Sequence, residues 1–131
     1  MEKLAQYIEE ITNDLKVDDF NIKEVQMRLP ARKHFWVARL IQAKIDRDKV
    51  INLKKKLKEQ TVSKVLEESP VKLTINAANS AAEKHETIQK INIKIKELDM
   101  IIEYLERVEK IMSSMSFDLK NITEINKLEQ L

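Results

Sequence analysis

Residues 87–128 read TIQKINIKIKELDMIIEYLERVEKIMSSMSFDLKNITEINKL. Ile88, Ile91, Ile95, Leu98, Ile102, Leu105, Val108, Met112, Met115, Leu119, Ile122, Ile125 and Leu128 recur there at spacings of three and four. At about 100° per residue that spacing keeps the apolar side chains on one side of a helix, as in a coiled-coil seam. Ile101, Tyr104 and Ile111 widen the stripe. Serine is weak inside helices and strong as a cap. Ser113-Ser114-Met115-Ser116 is therefore expected to divide the seam into helices over about 88–112 and 117–130.

Upstream of the seam, each break is read from polar caps and prolines. Thr87 is placed as the cap of the seam helix, after a boundary at Lys84-His85-Glu86. Thr74 is placed as the cap of a short helix through Ala77, Ala78, Ala81 and Ala82. Residues 67–74 form a connector around Ser69-Pro70, a turn or helix-start signal. Residues 31–67 carry no breaker and read as one long helix. Its apolar residues change sides: Trp36, Val37, Leu40, Ile41 and Ile45 lie on one, and Val50, Leu53 and Leu57 on another. The two halves should pack against different neighbours, or the helix should bend near Asp46–Lys49. Pro30 is expected to end a short turn that Asp18 or Asp19 caps and that contains Phe20, Ile22, Val25 and Leu29. Leu4, Ile8, Ile11 and Leu15, with Tyr7 beside them, make an amphipathic helix over about 2–16.

Composition supports this reading. The 131 residues include no glycine, no cysteine and two prolines. Hairpins and bulges draw on glycine, so an ordinary β protein is unexpected. A glycine-rich phosphate loop is impossible. So are a disulfide framework, a thiolate zinc site and a cysteine nucleophile. The expected fold is all-α: a long antiparallel helical hairpin with short N- and C-terminal helices. It is read as one helical domain, 1–131. Its parts are acidic N-terminal helices (1–30), a basic long helix (31–67), a connector with a short helix (68–86) and heptad-patterned oligomerisation helices (87–131). Helices this thin, with 35% charged residues, bury less than a globule, which favours association of copies. No uncharged stretch approaches the ~18 residues of a membrane span. Met1-Glu2-Lys3 opens a charged amphipathic segment without an apolar leader, so a reducing intracellular compartment is expected.

No catalytic or metal constellation emerges, and no cofactor is expected. His34 and His85 have no metal-ligand spacing, and no Glu-x-x-His or His-Glu-x-x-His element is present. Both histidines read best as helix-end residues. The serines lack a glycine elbow and an evident base. The chain is read as a non-enzyme.

The functional signal is charge segregation. Net charge is only +2. Yet residues 28–64 hold twelve basic and three acidic side chains, a net of +9, between flanks of −4 and −3. Such asymmetry points to a polyanion partner, set against the plainer reading of a solvated helix face. The candidate contacts are Arg32, Lys33, Arg39, Lys44, Arg47, Lys49, Lys54, Lys55, Lys56 and Lys58, with Arg28 also in the segment. Lysine supplies point charges suited to a phosphate backbone rather than to base edges. Phe35 and Trp36 could add base stacking, though packing is the better reading for Trp36. Leu53 and Leu57 should face the partner helix while the lysines form one stripe. An anionic membrane surface competes as the polyanion, but Asp46 and Asp48 break the apolar face that insertion needs. A second class of function stays open: a helical coiled-coil adaptor whose basic helix docks an acidic protein.

Several stretches resemble the UvsY-type recombination mediators of large tailed phages. They are Lys33-His34-Phe35-Trp36-Val37-Ala38-Arg39-Leu40, Glu67-Glu68-Ser69-Pro70-Val71 and Ala81-Ala82-Glu83-Lys84-His85. Ile101-Ile102-Glu103-Tyr104-Leu105 and Ser113-Ser114-Met115-Ser116-Phe117-Asp118-Leu119-Lys120-Asn121-Ile122 complete the set. The likeness covers about residues 28–128. It implies an all-helical protein that binds single-stranded DNA without sequence preference. Such a protein helps load a RecA-like recombinase onto strands covered by single-strand-binding protein, in phage recombination and repair. It implies a ring-like homo-oligomer, a hexamer or heptamer, assembled through the C-terminal region. The oligomerisation candidates are Ile102, Leu105, Met112, Met115, Phe117, Leu119, Ile122 and Ile125. It further implies a Leu-basic-x-basic-Leu DNA contact, met here by Leu53-Lys54-Lys55-Lys56-Leu57 with Lys54 and Lys56 in the basic places, Lys56 replacing arginine. The expected setting is the cytoplasm of a phage-infected bacterial host.

Overall fold

The computed structural model describes residues 1–130. Four helices account for nearly all of them: α1 (Glu2–Asp14), α2 (Ile22–Glu68), α3 (Ile75–Glu83) and α4 (Glu86–Glu129). The all-α class therefore holds. Among the described residues no backbone φ is positive. The chain turns between its helices without the left-handed conformations that glycine would supply.

Polar side chains build the turns instead. Between α1 and α2, Asp18 Oδ1 accepts from the amides of Phe20 and Asn21, both at 2.8 Å. Asn21 Oδ1 accepts from the amide of Asp18 at 2.7 Å. The Asn21 carbonyl receives the first helical bond, from Val25 N at 2.9 Å. The aspartate expected to cap α2 thus shapes the preceding turn, and Asn21 stands at the helix entrance. Phe20 is fully exposed at this turn rather than packed (99%). After α2, Ser69 Oγ donates to the Val71 carbonyl at 2.6 Å, so the expected break at Ser69-Pro70 is real. Thr74 caps α3 as expected, its Oγ1 accepting from Ala77 N at 3.1 Å. At α4 the expected cap Thr87 lies one residue inside the helix. His85 occupies the cap position, its carbonyl accepting from Gln89 N at 2.9 Å and its Nδ1 from Thr87 N at 3.3 Å.

Two expected breaks do not occur. Pro30 lies inside α2. It forfeits one backbone hydrogen bond and crowds the carbonyl four residues back. Burial outweighs this cost: Val25 and Leu29 before it, and Trp36 and Leu40 after it, are all at most 5% exposed. The Ser113–Ser116 cluster lies inside α4, so there is no separate short C-terminal helix. Ser113 Oγ donates to the Glu109 carbonyl at 3.0 Å, a bond that satisfies the hydroxyl without opening the helix. Buried Met112, Met115 and Leu119 hold α4 on both sides of the serines.

The chain forms two compact units, residues 1–42 with 100–131 and residues 43–99. The first is built on the larger core. Tyr7 and Ile11 of α1, Val25, Leu29, Trp36 and Leu40 of α2, and Ile101, Leu105, Val108, Met112, Met115 and Leu119 of α4 are buried in it. The second is sparser, with Ala43, Ala78, Ala82, Ile88 and Leu98 buried. There α2 and α4 run antiparallel: Arg47 pairs with Asp99, while Lys54 reaches Glu83, whose carboxylate also holds Asn92.

Candidate nucleic-acid interface

The ten basic candidates fall into different roles. In the first unit, Arg32 is a fold element. Its Nε and Nη2 donate to Asp14 Oδ2 at 2.9 and 2.8 Å, and Trp36 Nε1 donates to the same oxygen at 2.8 Å. One carboxylate at the end of α1 thus ties down an arginine and the buried indole of α2. Trp36 is 2% exposed, so it stacks on no base; it meets Tyr7 and Phe35 edge-on at 5.4 and 5.1 Å. Arg32 and Arg39 flank the Phe35 ring at 4.4 and 4.1 Å, a cation–π ladder along α2. The Nε of Arg39 is buried without a hydrogen-bond partner. Lys33 is half-buried.

In the second unit, Arg47 pairs with Asp99, and Lys44 is exposed. The lysine run does not form one stripe. Lys54 and Lys58, one helical turn apart, turn toward α3, with Nζ atoms 3.1 and 3.2 Å from the two oxygens of Glu83. Asn92 Nδ2 donates to Glu83 Oε1 at 3.1 Å, and Gln89 Nε2 to the Glu83 carbonyl at 2.8 Å. The hydrogen bonds from Asn92 and Lys54, with the Lys58 ammonium, hold the Glu83 carboxyl down at about 2, against an ordinary 4.5. Lys49, Lys55 and Lys56 are exposed, and among the described residues none of them meets a carboxylate in an ion pair. Lys49 and Lys56 stand seven residues apart, hence on the same side of α2. Lys55 borders an open groove of about 430 Å³ with Lys58, Glu59, Val62, Ser63 and Asn79. Leu53, expected to face a partner helix, is half exposed, and Leu57 is partly buried.

The structure thus separates the two basic places of the Leu-Lys-Lys-Lys-Leu stretch: Lys54 is held by a carboxylate and Lys56 faces solvent. Sequence reading missed Glu83, Asn92 and Asp14. Asp14 and Glu83 act on groups 18 and 29 residues along the chain, Asn92 on one nine residues back, and only the lone acid of α3 offered a local signal. Among the described residues no group of three or more His, Cys, Asp or Glu side chains could hold a metal ion. Among the described residues no helix is long and apolar enough to cross a membrane.

The oligomerisation candidates also divide. Leu105, Met112, Met115 and Leu119 are buried within the first unit's own core, and Ile102 is half-buried. Phe117, Ile122 and Ile125 are 66%, 41% and 54% exposed. A single heptad stripe therefore serves the protomer's interior on one side and leaves apolar groups outside on its margin.

A family described as "Recombination, repair and ssDNA binding protein UvsY" matches residues 13–130 of this chain. The chain belongs to the UvsY family. No curated protein matches it by sequence. Two crystal structures of the bacteriophage T4 recombination mediator protein UvsY share its fold. One, in lattice type IV, has a TM-score of 0.85 at 12% identity, covering 96% of this chain and 98% of the other. The other, in lattice type II, has a TM-score of 0.82 at 12% identity, covering 98% of each.

Proposed function

We propose that this protein is a non-catalytic recombination mediator that binds single-stranded DNA through α2. In this reading it helps load a RecA-like recombinase onto strands covered by single-strand-binding protein, in the cytoplasm of a phage-infected bacterium. The observation that carries the reading is the exposed set Lys49, Lys55 and Lys56, inside a segment of net charge +9, on a chain of a recombination and ssDNA-binding family. Point charges with no bidentate partner suit a phosphate backbone, giving affinity without sequence preference. Phe117, Ile122, Ile125 and Leu128, all exposed on α4, support association of copies, in this reading into a ring of six or seven. Repeated weak basic sites along one strand gain avidity without new contacts.

The test is fluorescence anisotropy of a labelled oligothymidine titrated with the full chain over a range of salt. The reading expects binding at low salt whose log K falls linearly with log salt, by about 0.7 per phosphate neutralised. Absence of binding at low salt would instead favour an adaptor that docks an acidic protein.

A further inference from the structure

Glu83 occupies an unusual position in the basic surface. Lys54 Nζ and Asn92 Nδ2 each donate to its Oε1 at 3.1 Å, and Lys58 Nζ forms an ion pair with its Oε2 at 3.2 Å, an oxygen that is buried and accepts no hydrogen bond. Two ammonium groups and an amide gathered around one anionic group make a receptor for an oxyanion. That receptor is filled by the protein's own side chain. Its occupant rides on α3, a helix of nine residues whose buried contacts are two alanines, Ala78 and Ala82. Alanine side chains contribute little apolar area, so α3 is held by modest packing and by these polar bonds. The receptor also adjoins free charge. Lys55 follows Lys54 in sequence and shares a groove with Lys58.

Resting on the proposed DNA-binding function, we propose that Lys54, Lys58 and Asn92 form a phosphodiester-binding site that Glu83 fills in the free protein. A strand first engages Lys55 and Lys56, and one of its phosphates then replaces the Glu83 carboxylate. No bond is made or broken covalently: one anion exchanges for another on the same donors. Glu83 thereby sets how many phosphates the protein engages and how strongly it resists binding anions other than a polyphosphate.

The experiment compares wild type with Glu83→Gln by anisotropy on a labelled oligothymidine across salt. Removing the competing charge is expected to tighten binding about fivefold at moderate salt. One further phosphate engaged should steepen the log K–log salt slope by about 0.7. The gain should vanish when Lys54→Gln and Lys58→Gln are added, and Glu59→Gln, which removes a nearby charge, should not reproduce it. An unchanged slope, weaker binding, or a gain that survives loss of both lysines would overturn the proposal. A second measurement needs no variant. In wild type, amide hydrogen exchange across residues 75–83 should quicken when oligothymidine is added, because α3 loses its polar tether. Unchanged or slower exchange there would contradict the exchange of anions. Lys55→Glu with Lys56→Glu separates the two levels. If it leaves affinity intact, the DNA-binding reading itself fails. If it abolishes binding while Glu83→Gln changes nothing, only the role of Glu83 fails.

Discussion

Two carboxylates do most to place the basic side chains. Asp14 gathers Arg32 and Trp36 onto one oxygen, and Glu83 gathers Lys54, Lys58 and Asn92. Neither role was legible from sequence, because the paired basic groups lie 18 to 29 residues from their carboxylates, too far for local spacing to join them. What was legible was Trp36 as packing: an indole amid Val37 and Leu40 belongs to an apolar face, and it is buried. Glu83 also makes a pH prediction. Its carboxyl is depressed from 4.5 to about 2 by its hydrogen-bond donors. A carboxyl lowered on folding stabilises the native state fully above its unfolded value. That contribution is lost as pH falls from about 4.5 toward 2. Urea denaturation at a series of acid pH values should therefore show a shallower loss of stability in Glu83→Gln than in wild type over that window. Parallel curves would mean that the carboxylate's bonds contribute nothing to folding.

At the scale of helices, caps were readable and interruptions were not. Thr74 and Ser69 act through bonds within three residues, so their sequence context contains the whole interaction. Pro30 and the Ser113–Ser116 cluster carry the same kind of local signal, yet the helices continue. The decisive information lies in phase. At about 100° per residue, positions 25, 29, 36 and 40 fall within about 60° of one another, and Pro30 points away. Positions 101, 105, 108, 112, 115 and 119 likewise stay within about 80° across the serines. A buried stripe that keeps its phase through a breaker outweighs it, since each buried large side chain contributes about 1.5–3 kcal/mol. Pro30→Ala should accordingly raise unfolding stability by about 1–3 kcal/mol, by restoring the missing bond and relieving the crowding. Chemical denaturation followed by the fluorescence of Trp36 measures this directly. A destabilised variant would mean that α2 needs its proline.

For the molecule as a whole, the pattern that suggested one intermolecular seam proves to be two surfaces. Periodicity reports which residues share a helix face; it does not say whether the same chain or another copy covers them. Leu119 is 2% exposed, so Leu119→Asp should unfold the first unit rather than merely part copies. Ile122→Asp with Ile125→Asp strikes exposed positions. It should lower the mass measured by light scattering while circular dichroism stays helical. An unaltered large assembly would exclude this face as the oligomer contact. Charge segregation was fully legible, because it is a property of composition along the chain. How it is used was not, since four of the seven basic candidates at positions 44–58 are exposed in the fold and three are held by carboxylates.

In the proposed function the exposed lysines of α2 bind single-stranded DNA. Anisotropy of a labelled oligothymidine with Lys49→Glu, Lys55→Glu and Lys56→Glu combined tests it most directly. Binding should weaken by at least about tenfold at moderate salt and the salt slope should become shallower, with helicity preserved. Wild-type affinity and slope in a fully helical variant would contradict it.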